Sequence, residues 1–147
     1  MEYPDQFIRG ILYNSDEFYS DGMLMPAVFK KFDVANSEGL RELSINWYDD
    51  EGAITQLIGQ RHKTEDRPLY LGGVAIVDKY RLDEIKKHQG LVDRLFYERA
   101  PLDENKYHGN ILFFEKKNCD NKTRLAMFSQ HLASFARKME LNELIQC

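Results

Sequence analysis

The feature that most constrains this chain is a run of apolar residues near its C-terminal end. Leu125, Phe128, Leu132, Phe135 and Met139 recur at steps of three and four. That spacing predicts one long amphipathic helix with a narrow apolar stripe. Asp120 or Asn121 supplies a side-chain oxygen to cap its first turn. A stripe this narrow covers one face of a sheet, so the rest of the chain is expected to supply strands.

Strand signals are frequent. Phe7 to Tyr13 is apolar and rich in β-formers, and Asn14-Ser15-Asp16 breaks it with turn chemistry. Leu43, Ile45 and Trp47 alternate with Ser44 and Asn46, the period of a strand with one buried face. Tyr70 to Val77 reads as a buried strand in which Gly72-Gly73 marks a bulge or a close approach. Leu91 to Arg99 and Tyr107 to Phe114 complete the set. Between them, Ser20-Asp21-Gly22 is a turn. Pro26 opens a short helical segment up to Phe29, because it cannot sit in a central strand. The acidic Asp49-Asp50-Glu51 suits a helix start, and Ile54, Leu57 and Ile58 carry that helix to about Arg61. Leu82 and Ile85 imply one or two helical turns that stop near Gly90. The expected fold is α+β: a single domain over residues 1–147, with about five mostly antiparallel strands packed by the C-terminal helix and short helices.

Composition excludes several classes. With 147 residues, 43% of them apolar, the chain can bury a real core. The net charge is −4 and the basic residues are scattered, so the basic face that nucleic acid needs is missing. Lys30-Lys31, Lys86-Lys87 and Lys116-Lys117 read as solvated ends of elements. No apolar run reaches the roughly 20 residues of a membrane helix, and the acidic start Met-Glu-Tyr-Pro-Asp lacks a signal-peptide core. A cytoplasmic location is therefore expected. Cys119 and Cys147 have no zinc or redox spacing and read as free thiols, and no cofactor or metal is expected.

Few residues suggest chemistry. Of the four histidines, His62, His88, His108 and His131, none forms a metal-binding pair. His131, one residue before a stripe position, is expected to be partly buried and hydrogen-bonded. His108 opens the apolar Ile111-Leu112-Phe113-Phe114 strand after a loop. There it either faces a cleft, where its near-neutral pKa suits acid–base work, or caps the loop through backbone bonds. Arg9 stands inside an apolar strand, beside Phe7 and Ile11 and opposite Ile8 and Gly10. A guanidinium there needs a partner: a carboxylate on a neighbouring strand, or a bound phosphate or carboxylate held in bidentate fashion. Ser44 lacks the glycine elbow of a hydrolase nucleophile, and neither an EF-hand nor a P-loop is present.

Taken in order, several pieces carry a resemblance. They are Phe7-Ile8-Arg9-Gly10, Asp21-Gly22 with Leu24, Pro26, Ala27 and Phe29, then Leu43-Ser44-Ile45-Asn46-Trp47 and Tyr107-His108-Gly109-Asn110-Ile111-Leu112. Their order is similar to that of a family of small bacterial proteins of uncharacterised function, a resemblance that implies no activity. The chain also resembles ADP-ribosyltransferase-like folds, where an early strand carries Arg or His and a later one Ser or Tyr. That resemblance implies Arg9 and Ser44 as site residues. The family's catalytic Glu on a late strand has no counterpart here, and His108 would stand in its place.

The leading functional expectation is a non-catalytic protein-interaction or accessory subunit. It would act with a larger bacterial protein encoded nearby, in a defence or stress operon. Its first interface patch is Tyr13, Phe18, Tyr19, Met23 and Met25, residue types enriched at interface centres. The alternative is a degenerate ADP-ribosyltransferase-like or nucleotide-binding enzyme using Arg9, Ser44 and His108, which requires those three to converge on one cleft.

Overall fold

A computed structural model of the chain describes residues 3–30, 32–33, 35–36, 38–117 and 120–139. In chain order its strands are Gln6–Gly10 (β1), Tyr19–Ser20 (β2), Met23–Leu24 (β3), Leu40–Trp47 (β4), Val74–Asp78 (β5), Leu95–Arg99 (β6), His108–Phe114 (β7) and Arg137–Met139 (β8). The helices are Gly52–Ile58 (α1), Lys79–His88 (α2) and Asn121–Phe135 (α3), with a 3-10 turn over Pro26–Phe29. Six strands form one sheet in the order β6-β7-β4-β1-β5-β8, and β2 and β3 form a separate hairpin. Every pairing in the sheet is antiparallel. The fold is thus α+β, as the sequence pattern implies.

Side-chain alternation gives the sheet two unequal faces. On one face Phe7, Leu43, Ile45, Trp47, Val77 and Phe113 meet the helical layer, to which α3 contributes Phe128, Leu132 and Ala133. Trp47 is fully buried there, edge-on to Phe7 at 5.9 Å, and its indole N–H donates to the Glu98 carbonyl at 3.0 Å. On the other face α1 sets Ala53, Ile54 and Leu57 against Ile8, Val74 and Ile76. A helix of seven residues is only about 10 Å long at 1.5 Å per residue. It therefore covers β1 and its neighbours and leaves the β4-β7-β6 side of that face open, where Ser44 and Phe96 are exposed.

Three differences from the sequence pattern have physical causes. The C-terminal helix ends at Phe135, so Met139 is not part of its stripe. Ala136 turns to extended backbone (φ −79°, ψ 151°), and the chain pairs with β5 from Val74↔Met139 to Ile76↔Arg137. The outer edge of β5 offers unpaired backbone groups, and satisfying them outweighs one more helical turn. The segment expected to be a strand from Leu91 starts pairing only at Leu95, because Arg94 and Leu95 donate back to the Leu91 carbonyl in a turn. His131 is exposed rather than partly buried, because Phe128, Leu132 and Ala133 define the inward side of α3. The cap at Asp120 is as expected: its carboxylate accepts from the Thr123 N–H at 3.0 Å.

Gly72 is the close approach anticipated from the Gly-Gly pair. A Cβ there would lie 2.5 Å from Ile11 Cγ2 and 2.6 Å from the Tyr13 carbonyl oxygen. Gly72→Ala is expected to destabilise the fold by about 1–3 kcal/mol through overpacking, seen as a fall in Tm of roughly 3–10 °C. An unchanged Tm would mean that the β1-to-β5 approach is looser than described.

Candidate functional site

The site begins where two strands part. β1 pairs with β5 through five residues but with β4 only at Phe7↔Trp47 and Ile8↔Asn46. Beyond Ile8 the two strands diverge, and the 3-10 turn approaches from the helical side. Arg9 bridges the opening. Its Nε donates to the Val28 carbonyl at 2.7 Å and its Nη1 to the Ser44 carbonyl at 2.5 Å. The expected carboxylate partner is absent: among the described residues Arg9 forms no ion pair, and carbonyls of the parted chain take that place. Burial pushes its pKa below the ordinary value, with Tyr70 and Asp33 pulling the other way.

A cavity of about 680 Å³ lies against this opening, and Arg9, Ser44 and His108 all line it. Its floor is the open sheet face and its walls are α1 with the following loop and the Leu102–Asn105 loop. Tyr70 closes one end. Gly10 makes this possible, since a Cβ there would collide with the Tyr70 ring. Burial raises the Tyr70 pKa, with Arg9 opposing. The volume is within the range of small-molecule sites.

Four amides form a chain beside the cavity. The Tyr107 backbone N–H donates to Asn105 Oδ1 at 3.1 Å, and Asn105 Nδ2 donates to Asn46 Oδ1 at 2.8 Å. Asn46 Nδ2 then donates to the Ala53 carbonyl at 3.1 Å and to Gln56 Oε1 at 3.0 Å. Gln60 Nε2 donates to the same Gln56 oxygen at 3.1 Å. Asn46 and Asn105 are buried, so their satisfied amides fix the loop to the sheet and to α1. None of these four was expected as a site residue. The signal that could have found them is weak: Asn46 shares the polar side of its strand with Ser44, and Gln56 and Gln60 are four apart.

His108 holds a loop and faces the site at once. Its Nδ1 donates to the Ala100 carbonyl at 2.8 Å, which leaves Nε2 as the acceptor of the neutral ring. Neither the Ser44 hydroxyl nor His108 Nε2 has a hydrogen-bond partner among the described residues, so the two do not form a nucleophile–base pair.

The patch around the first turn divides. Phe18 is buried in the core, Tyr19 and Met25 are half-buried, and Tyr13 and Met23 are exposed at 48% and 58%. Lys138 lies over the Tyr19 ring at 4.1 Å. Cys119 and Cys147 fall outside the described residues. Among the described residues there is no cluster of His, Cys, Asp or Glu that could hold a metal, and no helix long and apolar enough to cross a membrane.

No protein-family model, curated protein or solved structure matches the chain. The two resemblances read from short segments therefore gain no further support, and the site rests on its own geometry.

Asp50 joins α1 to the loop beneath the cavity. Its carboxylate accepts from the Tyr107 hydroxyl at 2.7 Å and the Gly52 N–H at 2.8 Å, and those bonds lower its pKa, the Tyr107 bond most. A carboxyl lowered in the folded state contributes stability above its unfolded value, about 3.9, and loses it as pH falls through the folded value. Asp50→Asn is accordingly expected to melt below the wild type at neutral pH, with the gap closing as the pH falls below the ordinary carboxyl value and through the lowered one. A gap that stays constant over that window would remove the ionised form from the account.

Proposed function

We propose that this chain is a small-molecule-binding module whose cavity takes an anionic ligand on Arg9. This is the binding half of the reading built on Arg9, Ser44 and His108. The observation that carries it is Arg9, a residue of the cavity lining whose guanidinium bonds two neutral carbonyls and has no ion pair among the described residues. Removing a cation from water costs several kcal/mol unless other groups replace the lost hydration. Two carbonyls engage two of the five guanidinium N–H groups. A phosphate or carboxylate in the cavity would engage others, with the charge-assisted geometry that favours arginine over lysine. The Ser44 hydroxyl and His108 Nε2 supply polar contacts to the same ligand. Binding is preferred to catalysis because Ser44 and His108, the hydroxyl and imidazole that line the cavity, are not hydrogen-bonded to each other. A cytoplasmic location belongs to the same proposal.

The test is calorimetry and thermal melting with inorganic phosphate, acetate and nucleoside monophosphates, each nucleotide compared with its uncharged nucleoside. Charged ligands are expected to bind and to raise Tm, and Arg9→Lys to weaken them at least about tenfold by losing the planar fork. If Arg9→Lys does not fold, the charged-versus-uncharged comparison on the wild type still decides. Failure of every anion to bind at millimolar concentration would overturn the proposal.

A second reading, an accessory subunit of a larger protein encoded nearby, is favoured by the exposure of Tyr13, in the segment after β1, and Met23, in β3. It is expected to yield a stoichiometric partner in a pull-down from the native host. Tyr13→Ser with Met23→Ser is expected to release that partner while leaving Tm within about 2 °C, since exposed positions contribute little to stability. Recovery of the chain alone would count against it.

A further inference from the structure

From the amide chain we infer that the cavity reads the edge of a nucleobase, and that the anionic ligand is a mononucleotide. This rests on the anion-binding reading above and adds to it the chemistry of the ligand's other end.

The argument turns on which way each amide points. The Ala53 carbonyl can only accept, so the Asn46 group facing it is the NH2. The Tyr107 backbone N–H can only donate, so the Asn105 group facing it is the oxygen. Those two backbone groups fix Asn46 and Asn105 independently, and the bond between them, Asn105 Nδ2 to Asn46 Oδ1, agrees with both. The second Asn46 N–H then forces Gln56 to turn its oxygen inward, and Gln60 must answer that oxygen with its NH2. The direction of all four amides follows from the fold.

What the chain leaves over defines the ligand. Gln56 Oε1 accepts twice, while Gln56 Nε2 makes no hydrogen bond to a described residue and keeps both its N–H donors. Gln60 donates through Nε2 and keeps its Oε1 lone pairs. Both side chains are half-buried and line the cavity. A donor and an acceptor carried by neighbouring amides, held in place from behind, complement a group that presents an acceptor beside a donor. Nucleobase edges have that pattern: a ring C=O beside N–H, or a ring nitrogen beside NH2. The flat apolar part of such a ring has Ile8, Leu57, Leu102 and the Tyr70 ring as its walls.

The two ends of the site are correctly spaced for one molecule. Asn46, which anchors Gln56, and Ser44, whose carbonyl anchors Arg9, are two residues apart on β4 and so about 7 Å apart along the strand. They lie on the same side of that strand. A base at the glutamines and a phosphate at Arg9 place the sugar across the Ser44 region of the floor. A polymer is disfavoured by the net charge of −4.

The deciding experiment is calorimetry of the intact chain with AMP, GMP, UMP and CMP, with ribose 5-phosphate, and with inorganic phosphate, on the wild type and on Gln60→Leu. Gln60 lies beyond the last residue of α1 and its substitution leaves the Asn105–Asn46–Gln56 bonds in place. At least one nucleotide is expected to bind about ten- to a hundredfold more tightly than ribose 5-phosphate. Gln60→Leu is expected to erase most of that preference while leaving ribose 5-phosphate and phosphate unchanged. Equal binding of nucleotides and ribose 5-phosphate would overturn the base-edge inference and leave the anion site standing. A nucleotide preference that survives Gln60→Leu would overturn it too. Absence of binding by any of these probes would remove both.

Discussion

The parting of β1 from β4 is the constraint on which the rest depends. Two central strands of an antiparallel sheet ordinarily pair along their shared length, and these pair at only two registered positions. The backbone groups released by the parting need partners. β4 finds them in Asp33, whose N–H donates to the Glu42 carbonyl, and in Arg9, whose side chain reaches the Ser44 carbonyl. A side chain thus completes what a ladder would have supplied. Because the guanidinium is charged, closing the sheet this way places a positively charged residue in the lining of a cavity.

The same parting explains why the cavity stays open. On the helical face, α2, α3 and the 3-10 turn together make a continuous core. On the other face α1 is the one helix among the described residues, and its apolar residues reach β1 and β5. Polar side chains occupy the uncovered floor, as Ser44, Asn46 and Asn110 do along β4 and β7. Asn46 and Asn110 are nonetheless buried. Asn110 is satisfied by the Glu98 carboxylate at 3.1 Å, and Asn46 by the amide chain. Water-excluded amides are stable only when saturated, so their network is rigid where it is closed. The network is open only at Gln56 and Gln60, the members at its cavity end.

How much of this was legible in the sequence follows from what leaves a period. Ile8 against Phe7, and Leu43, Ile45 and Trp47 against Ser44 and Asn46, announce faces, and the faces are found as written. The Gly72 approach was readable from the glycine pair, although the strand expected from Tyr70 begins only at Val74 and Leu71 and Gly72 form a turn before it. Arg9 stood out for being charged among apolar neighbours, but its partner could not be inferred, since backbone carbonyls carry no sequence signature. Met139 fits a helical stripe by spacing alone, yet the edge of β5 decides its state, and that edge exists only once the sheet has formed. The amide chain joins residues 46, 56, 60 and 105, a long-range relay that no local pattern encodes.

Arg9 therefore carries two duties that substitution alone cannot separate. It joins β4 to the 3-10 turn through neutral carbonyls, and it presents the unpaired part of its charge to the cavity. An anion bound there would strengthen the same junction that forms the site, because anything binding the folded state alone stabilises it by mass action. Ligand affinity and fold stability are then coupled through one side chain. Gln60 is not subject to that coupling: it lies at the end of the network, where a change leaves the Asn105–Asn46–Gln56 bonds intact. In the site as proposed, the charge is anchored in the fold and selectivity falls to the periphery.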